Sequence, residues 1–194
     1  MTIIGLTGPT GAGKTTVAAA LQERGLFVVD ADVAARQVML PGSPVLKALA
    51  QTFGTEILLP DGSLDRKALA ACAFACEENV QTLNRLTHPA IDRLLFAQIA
   101  EHADAPAAVI DAAALIESGI DKKCDLVAVV LAPVETRLSR IMARDGLSPK
   151  EARLRIGAQK DDSYYRAHAD VVLMNDADHD LRSELDKLLE RLPL

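Results

Sequence analysis

The segment Gly8–Thr15 reads GPTGAGKT and fits the pattern G-x-x-x-x-G-K-[ST] at every fixed position. Glycines let such a loop bring its backbone N–H groups close to phosphate oxygens, and the helix that follows adds the positive end of its dipole. The lysine places a cation on the β- and γ-phosphates, and the Thr15 hydroxyl is a ligand for Mg²⁺. The segment therefore predicts a site for a nucleoside triphosphate with Mg²⁺. The residues predicted to hold them are Gly11, Ala12, Gly13, Lys14, Thr15 and Thr16, with Thr15 at the metal.

Two aspartates follow the next apolar run, in the segment VVDADVAAR. Ligands bind at the carboxyl ends of the strands in open α/β sheets, so Asp30 and Asp32 are expected at a strand end beside the phosphate-binding loop. A carboxylate there can orient and deprotonate a hydroxyl that attacks a phosphoryl group. Asp32 is the better candidate for this base, because an aspartate directly after a strand, such as Asp30, is as often a helix N-cap.

Cations are concentrated between residues 136 and 160, which contain seven Lys or Arg and only two acidic residues, although the whole chain has a net charge of −6. Arg137, Arg140 and Arg144 are spaced i, i+3, i+7 and share one helix face. Arginines on a lid that closes over a triphosphate neutralise the charge that develops in the transition state. We expect this of Arg140, as a catalytic residue, and of Arg144. Two further candidates on the next helix are Arg155 and Gln159.

The class of triphosphate-using protein can be narrowed by what the sequence lacks. GTPases read the guanine with an N-K-x-D motif, and no such string occurs. ATPase machines of the AAA type need an apolar strand that ends in Asp-Glu, whereas Asp111 is followed by Ala112. A small-molecule kinase is left. A regulatory ATP-binding module is the rival of another class, although it has no need of an acceptor-side base such as Asp32.

Composition limits the partners. The net charge of −6 leaves no basic surface for nucleic acid, and 3% aromatic residues provide few platforms for stacked bases. No apolar run reaches the roughly 18–20 residues that span a membrane, and the N-terminus lacks the basic region of a signal peptide. The three cysteines fit a reducing compartment and show no metal-site spacing. We expect a cytoplasmic protein without nucleic-acid or membrane partners, as a monomer or weak homo-oligomer.

Five short apolar runs predict the strands that position these residues. Most of them are continuous rather than alternating, which is typical of parallel strands covered on both faces. Helical patterns separate the runs, and the first of them spans Thr15–Arg24. This alternation predicts a doubly wound α/β sheet. The predicted strands are Ile3–Thr7, Phe27–Asp30, Ala107–Asp111, Leu126–Leu131 and Val171–Leu173.

Two regions depart from the strand–helix alternation. Residues 42–105 contain several helical stretches without a convincing strand and predict a helical, acceptor-binding insert. Residues 134–168 predict an arginine-rich lid, in which one helix spans Val134–Arg144 and a second starts at the capping box Ser148–Glu151 with Pro149 at its first position. A nucleotide-binding core is then formed by residues 1–41, 106–133 and 169–194 of a single domain.

Together with LNRLTHPAI, VIDAAALIESG and RIMARDGLSPKEARLRIGAQ, the segments quoted above resemble the dephospho-coenzyme A kinase family along nearly the whole chain. The resemblance implies a P-loop kinase fold, with a five-stranded parallel sheet flanked by helices, a helical acceptor-binding subdomain and a helical lid. It also implies transfer of the γ-phosphate of ATP, with Mg²⁺, to the ribose 3′-hydroxyl of dephospho-coenzyme A, the last step of coenzyme A synthesis. A kinase for another small acceptor, such as a nucleotide, is the alternative.

The resemblance implies residue roles as well. Asp32, the second aspartate of the family's D-A-D motif, is the base. Asn175 reaches the adenine edge. The segment from Asp111 to Glu117 keeps both carboxylates of the family pattern and lacks its proline and one leucine. The residues that the resemblance places against the acceptor are Asp32, Arg36, His88, Asp111 and Glu117.

Overall fold

The computed structural model of the chain describes residues 1–192, and its centre is a five-stranded parallel sheet in the order β2-β3-β1-β4-β5. All five predicted strands are confirmed, with one residue added at the start of the first and at the end of the last. Every residue of β3 and β4 is buried, because helices cover both faces of the sheet. The strands are β1 (Thr2–Thr7), β2 (Phe27–Asp30), β3 (Ala107–Asp111), β4 (Leu126–Leu131) and β5 (Val171–Met174).

Ten α-helices are described in residues 1–192. They are α1 (Lys14–Glu23), α2 (Ala31–Val38), α3 (Pro44–Phe53), α4 (Arg66–Ala73), α5 (Glu77–Ala100), α6 (Leu115–Ser118), α7 (Val134–Asp145), α8 (Pro149–Gly157), α9 (Asp162–Ala167) and α10 (Leu181–Leu189). Short 3-10 helices span Thr55–Ile57 and Ile120–Lys123. Within the described part of the chain, none of these helices is long and apolar enough to cross a membrane.

The chain forms two compact units, and the first contains Met1–Val29 and the chain from His102 onward. Its main core lies between the sheet and the helices α1 and α10, where residues such as Ile4, Leu21 and Leu185 are fully or almost fully buried. A small separate core of Leu138, Ile141 and Ala152 joins α7 to α8. These two helices therefore form a structure with packing of its own.

The second unit, Asp30–Glu101, contains the helices α2–α5 around a core that includes Leu49, Ile57 and Leu69. It also has an isolated antiparallel bridge between Leu58 and Leu64 on either side of the Asp61-Gly62 turn. Helix α2 packs against α5, so it belongs to this unit and not to the sheet. The helical region thus starts twelve residues earlier than the insert of 42–105 expected from the sequence.

Local capping explains where several helices begin. Ser148 and Glu151 form the predicted capping box, and Pro149 occupies the first turn of α8. Helix α7 is one residue longer than predicted and is followed by Gly146, whose φ of 66° suits glycine. The sequence interpretation did not include α9, a six-residue helix capped by Asp161.

Candidate active site

The phosphate-binding loop joins β1 to α1 and is packed closely on two sides. Gly11 has a φ of 79°, and a Cβ there would lie 2.8 Å from the Arg137 carbonyl oxygen. Gly13 has a φ of 92°, and a Cβ there would lie 2.0 Å from the Asn175 amide nitrogen. Glycine is therefore required at both positions by backbone angle and by space.

At the start of α1, the Lys14 ammonium forms an ion pair with Asp111, at the carboxyl end of β3. Strands β1 and β3 are neighbours, so the loop that leaves β1 and the last residue of β3 lie at the same edge of the sheet. Asp111 is 8% exposed. The structure thus places this acceptor-side candidate directly on the lysine of the loop.

A cavity of about 920 Å³ lies over the loop, entirely within the first unit. Its floor includes residues 8–11 and 13–16, and the opposite wall comes from α7, α8 and the two residues that follow α8, Ala158 and Gln159. The predicted arginines Arg140 and Arg144 line this wall, as do both further candidates, Arg155 and Gln159. The structure therefore brings the loop and the cationic face together around one space of nucleotide size.

Two side chains from the predicted lid hold the backbone of Thr10. The Arg137 Nε donates to the Thr10 carbonyl oxygen at 3.0 Å, and the Thr10 N–H donates to the Gln159 Oε1 at 2.8 Å. Arg137 is 3% exposed and also contacts Asp162 at 3.4 Å. Burial lowers the pKa of its guanidinium. Arg137 thus holds the loop backbone without lining the cavity, whereas Arg140 and Arg144 line it.

The next carbonyls of the loop are held in the same way. The Arg140 Nη1 donates to the Gly11 and Ala12 carbonyl oxygens at 3.3 and 3.0 Å. The Asn175 amide donates to the Ala12 and Gly13 carbonyl oxygens at 2.9 and 3.4 Å. Asn175 therefore binds the loop, and its contact with adenine remains a prediction.

Asp145, a carboxylate that the sequence interpretation does not single out, joins two arginines of the predicted lid. Arg144 donates from Nε and Nη2 to its two oxygens at 2.7 and 2.8 Å, and Arg155 donates from Nη1 at 2.5 Å. The hydrogen bond from Arg144 is the main reason that the pKa of Asp145 lies below its ordinary value. The only signal in the sequence is an acid in an arginine-rich segment.

In the second unit, contrary to the sequence prediction, Asp30 and Asp32 do not both lie in a strand end, because α2 begins directly after Asp30. The Asp30 carboxylate accepts hydrogen bonds from the Asp32 and Val33 N–H groups at 2.7 and 3.0 Å, so it is the N-cap of α2. Because the helix begins at once, Asp32 lies in its first turn, with an exposed side chain. Arg36 is exposed one turn later, and His88 is half-buried in α5, directly before Pro89.

Glu117, the remaining acceptor-side candidate, is exposed on α6 in the first unit. The pKa values of Tyr164 and Tyr165 on α9 are raised mainly by burial and, to a smaller extent, by the Glu117 carboxylate. Glu117 therefore belongs to the same electrostatic environment as these two phenols, which the sequence interpretation did not single out.

The residues around the loop fit the binding of Mg²⁺ together with a triphosphate. Thr15 is exposed and lines the cavity, so its hydroxyl is accessible. No cluster of three or more His, Cys, Asp or Glu that could hold a metal exists in residues 1–192. Mg²⁺ usually keeps several waters and takes phosphate oxygens with one or two protein ligands, so a site of this kind suits it.

A phosphate-binding loop after the first strand, a five-stranded parallel sheet and arginines across the same cavity define a P-loop kinase fold. The profile of the family described as dephospho-CoA kinase matches residues 2–180. The chain belongs to the dephospho-CoA kinase family and is accordingly a kinase, that is, a transferase. The fold class and the family expected from the sequence are both confirmed.

Individual relatives agree with this assignment. The dephospho-CoA kinase of Corynebacterium glutamicum is 44% identical over 192 residues, which cover 97% of this chain and 96% of that protein. A crystal structure from Thermus thermophilus is 34% identical, with a TM-score of 0.85, and covers 100% of this chain and 98% of that one. The dephospho-CoA kinase from Campylobacter jejuni is 27% identical, with a TM-score of 0.67 and coverages of 97% and 95%.

Proposed function

We propose that the chain transfers the γ-phosphoryl group of ATP to the ribose 3′-hydroxyl of dephospho-CoA, producing CoA and ADP as the last step of CoA synthesis. One observation carries the donor half of this proposal: Lys14 and the lid arginines surround a single cavity over the phosphate-binding loop. The family match over residues 2–180 supports the acceptor.

For the donor, the loop from Gly11 to Thr16 cradles the β- and γ-phosphates, and Lys14 supplies a cation to them. Arg140 and Arg144 neutralise the charge that spreads over the γ-phosphoryl oxygens in the transition state. Mg²⁺, held by the Thr15 hydroxyl and the phosphates, supplies further charge neutralisation when it is bound. Asn175 keeps the loop in shape and contacts the adenine edge.

For the acceptor, Asp32 is the general base, and its exposed carboxylate on α2 is available to a hydroxyl group. The 3′-oxygen forms a bond to the γ-phosphorus while the bond from that phosphorus to the bridging oxygen breaks. The electron pair of the broken bond leaves with ADP, and the hydroxyl proton passes to Asp32. We assign acceptor binding to Arg36, His88, Asp111 and Glu117.

We assign the role of a lid to residues 134–168 and acceptor binding to the helical insert of residues 42–105. A lid that closes over ATP excludes water, which would otherwise compete with the acceptor hydroxyl for the phosphoryl group. The small core of α7 and α8 supports this role, because it lets the two helices keep their shape as a pair.

We also propose that the enzyme is a cytoplasmic monomer or weak homo-oligomer that acts on a small molecule and not on nucleic acid. The three cysteines are unpaired in the structure, which fits a reducing compartment. The net charge of −6 opposes binding to nucleic acid. Sedimentation velocity at several concentrations measures the state of assembly.

An acceptor panel tests the proposed function. Purified protein with ATP and Mg²⁺ is offered dephospho-CoA or a nucleoside monophosphate, and ADP release is followed together with the mass of the product. We expect ADP to be released only when dephospho-CoA is the acceptor, and in an amount equal to the CoA formed. Turnover with a nucleoside monophosphate alone would make the protein a nucleotide kinase, and ATP binding without turnover on any acceptor would make it a regulatory module.

A further inference from the structure

We propose that Asp145 is a positioning residue that presents Arg144 and Arg155 together to the triphosphate. The inference rests on the proposed function, because it takes the cavity over the loop to be the ATP site. It concerns a carboxylate that neither binds phosphate nor touches the reacting atoms. Its effect on the reaction passes through the two arginines.

The first support is the geometry of the three side chains. Arg144 uses Nε and Nη2 on Asp145, a two-point contact that fixes the plane of its guanidinium. Arg155 reaches the same carboxylate from α8 with Nη1. An arginine has five N–H donors, so both guanidinium groups keep unused donors for phosphate oxygens.

The second support is charge. Two guanidinium groups held close together repel each other, and a carboxylate between them offsets that repulsion. The group of three keeps a net positive charge, so it still attracts a triphosphate. A neutral amide at the same position would leave two cations in mutual repulsion, and the arginines would separate.

The third support is exposure. The side chains of Arg144 and Arg155 are 59% and 51% exposed, whereas that of Asp145 is 24% exposed. Long exposed side chains are mobile, and ordering them when a ligand binds costs conformational entropy. Asp145 orders the two arginines before ATP binds. Arg144 and Arg155 both line the cavity. The expected result is a tighter ATP complex.

A pair on the same two helices provides a matched control. Glu135 on α7 contacts Arg153 on α8 at 3.5 Å, with side chains 78% and 63% exposed. Neither residue lines the cavity over the loop. Glu135→Gln therefore removes a carboxylate that joins the same helices without affecting the site arginines.

The test measures ATP binding by calorimetry and the KM values for ATP and the acceptor, in the intact chain. We expect Asp145→Asn to weaken ATP binding and raise its KM about three- to tenfold, while the KM for the acceptor stays within about twofold. Asp145→Glu, which keeps the charge, should recover part of this loss, and Glu135→Gln should behave as wild type. In an Arg144→Met/Arg155→Met background, Asp145→Asn should have no further effect.

Three results would overturn the proposal. Tighter ATP binding by Asp145→Asn would mean that the carboxylate competes with phosphate for the arginines. Unchanged binding by a folded Asp145→Asn protein would remove any role in the site. Full additivity in the double-arginine background would mean that Asp145 acts independently of them. Failure of the wild-type chain to bind ATP would instead contradict the proposed function itself.

Discussion

The Lys14 ammonium lies against the Asp111 carboxylate, so the cation of the phosphate-binding loop is paired with an acid at the end of β3. The two side chains are only 18% and 10% exposed, and water therefore screens them weakly. Removal of one partner takes an opposite charge away from the other in a partly buried place.

We expect Lys14→Met to lower the free energy of unfolding by about 2 kcal/mol, because Asp111 loses its cation. The double variant Lys14→Met/Asp111→Asn should recover much of this loss, since it also removes the negative charge that Lys14 balanced. Urea unfolding of the wild type, both single variants and the double variant gives the coupling energy. A double variant less stable than Lys14→Met would contradict the expectation. Both Lys14 variants should lose ATP binding.

Asp32→Asn should lower kcat by about 10²- to 10⁴-fold, because an amide cannot accept the hydroxyl proton. ATP binding, measured by calorimetry, should stay close to that of the wild type. The matched control is Asp30→Asn two residues away, since asparagine caps a helix about as well as aspartate. Full activity in Asp32→Asn would exclude it as the base, and equal losses in both variants would indicate a general effect on α2.

Arg137→Met should raise the KM for ATP and lower the free energy of unfolding by about 1–3 kcal/mol. The physical reason is that the Thr10 carbonyl oxygen loses its buried donor and Asp162 loses a partner. Arg153→Met, at an exposed position outside the cavity over the loop, should change stability by no more than about 0.5 kcal/mol. Steady-state kinetics and urea unfolding measure the two effects. A wild-type KM for ATP in Arg137→Met would show that ATP binding does not require the hydrogen bond from Arg137 to the loop.

The Cys124 thiol should make stability fall with alkaline pH. Burial raises its pKa from 9.0 to about 12, so between these values the unfolded chain releases the proton while the folded chain keeps it. Its contribution is therefore complete below pH 9 and is lost as the pH rises towards 12. Cys124→Ala should show a flatter decline of the unfolding free energy between about pH 9 and 10.5. Cys76→Ala, at an exposed position, should keep the wild-type slope.

The elements that the sequence predicted well are those whose signal is local. Strands such as Leu126–Leu131 are continuous apolar runs, and the start of α8 follows from the side chains of Ser148 and Glu151 themselves. The sequence alone leaves the role of Asp30 open, whereas in the structure its carboxylate accepts hydrogen bonds from the N–H groups of Asp32 and Val33. Whether an aspartate caps a helix depends on where the strand stops, and that is decided by packing.

The parts of the site that could not be predicted depend on contacts between distant segments. The spacing of Arg137, Arg140 and Arg144 predicts one shared helix face, yet the side chain of Arg137 is buried and donates to Thr10. The helical period places residues on a face but does not show which side chain meets the loop first. Asp145 was overlooked for the same reason, since its two partners meet only when α7 and α8 pack together.

Thr10 is held through both of its backbone polar atoms, by Arg137 on one side and Gln159 on the other. This arrangement limits how pieces of such enzymes can be recombined. A chimera that takes residues 134–168 from a relative replaces both of these partners of Thr10 at once, even when GPTGAGKT is left intact. We therefore expect functional exchange only when the donor segment carries equivalent side chains at both places.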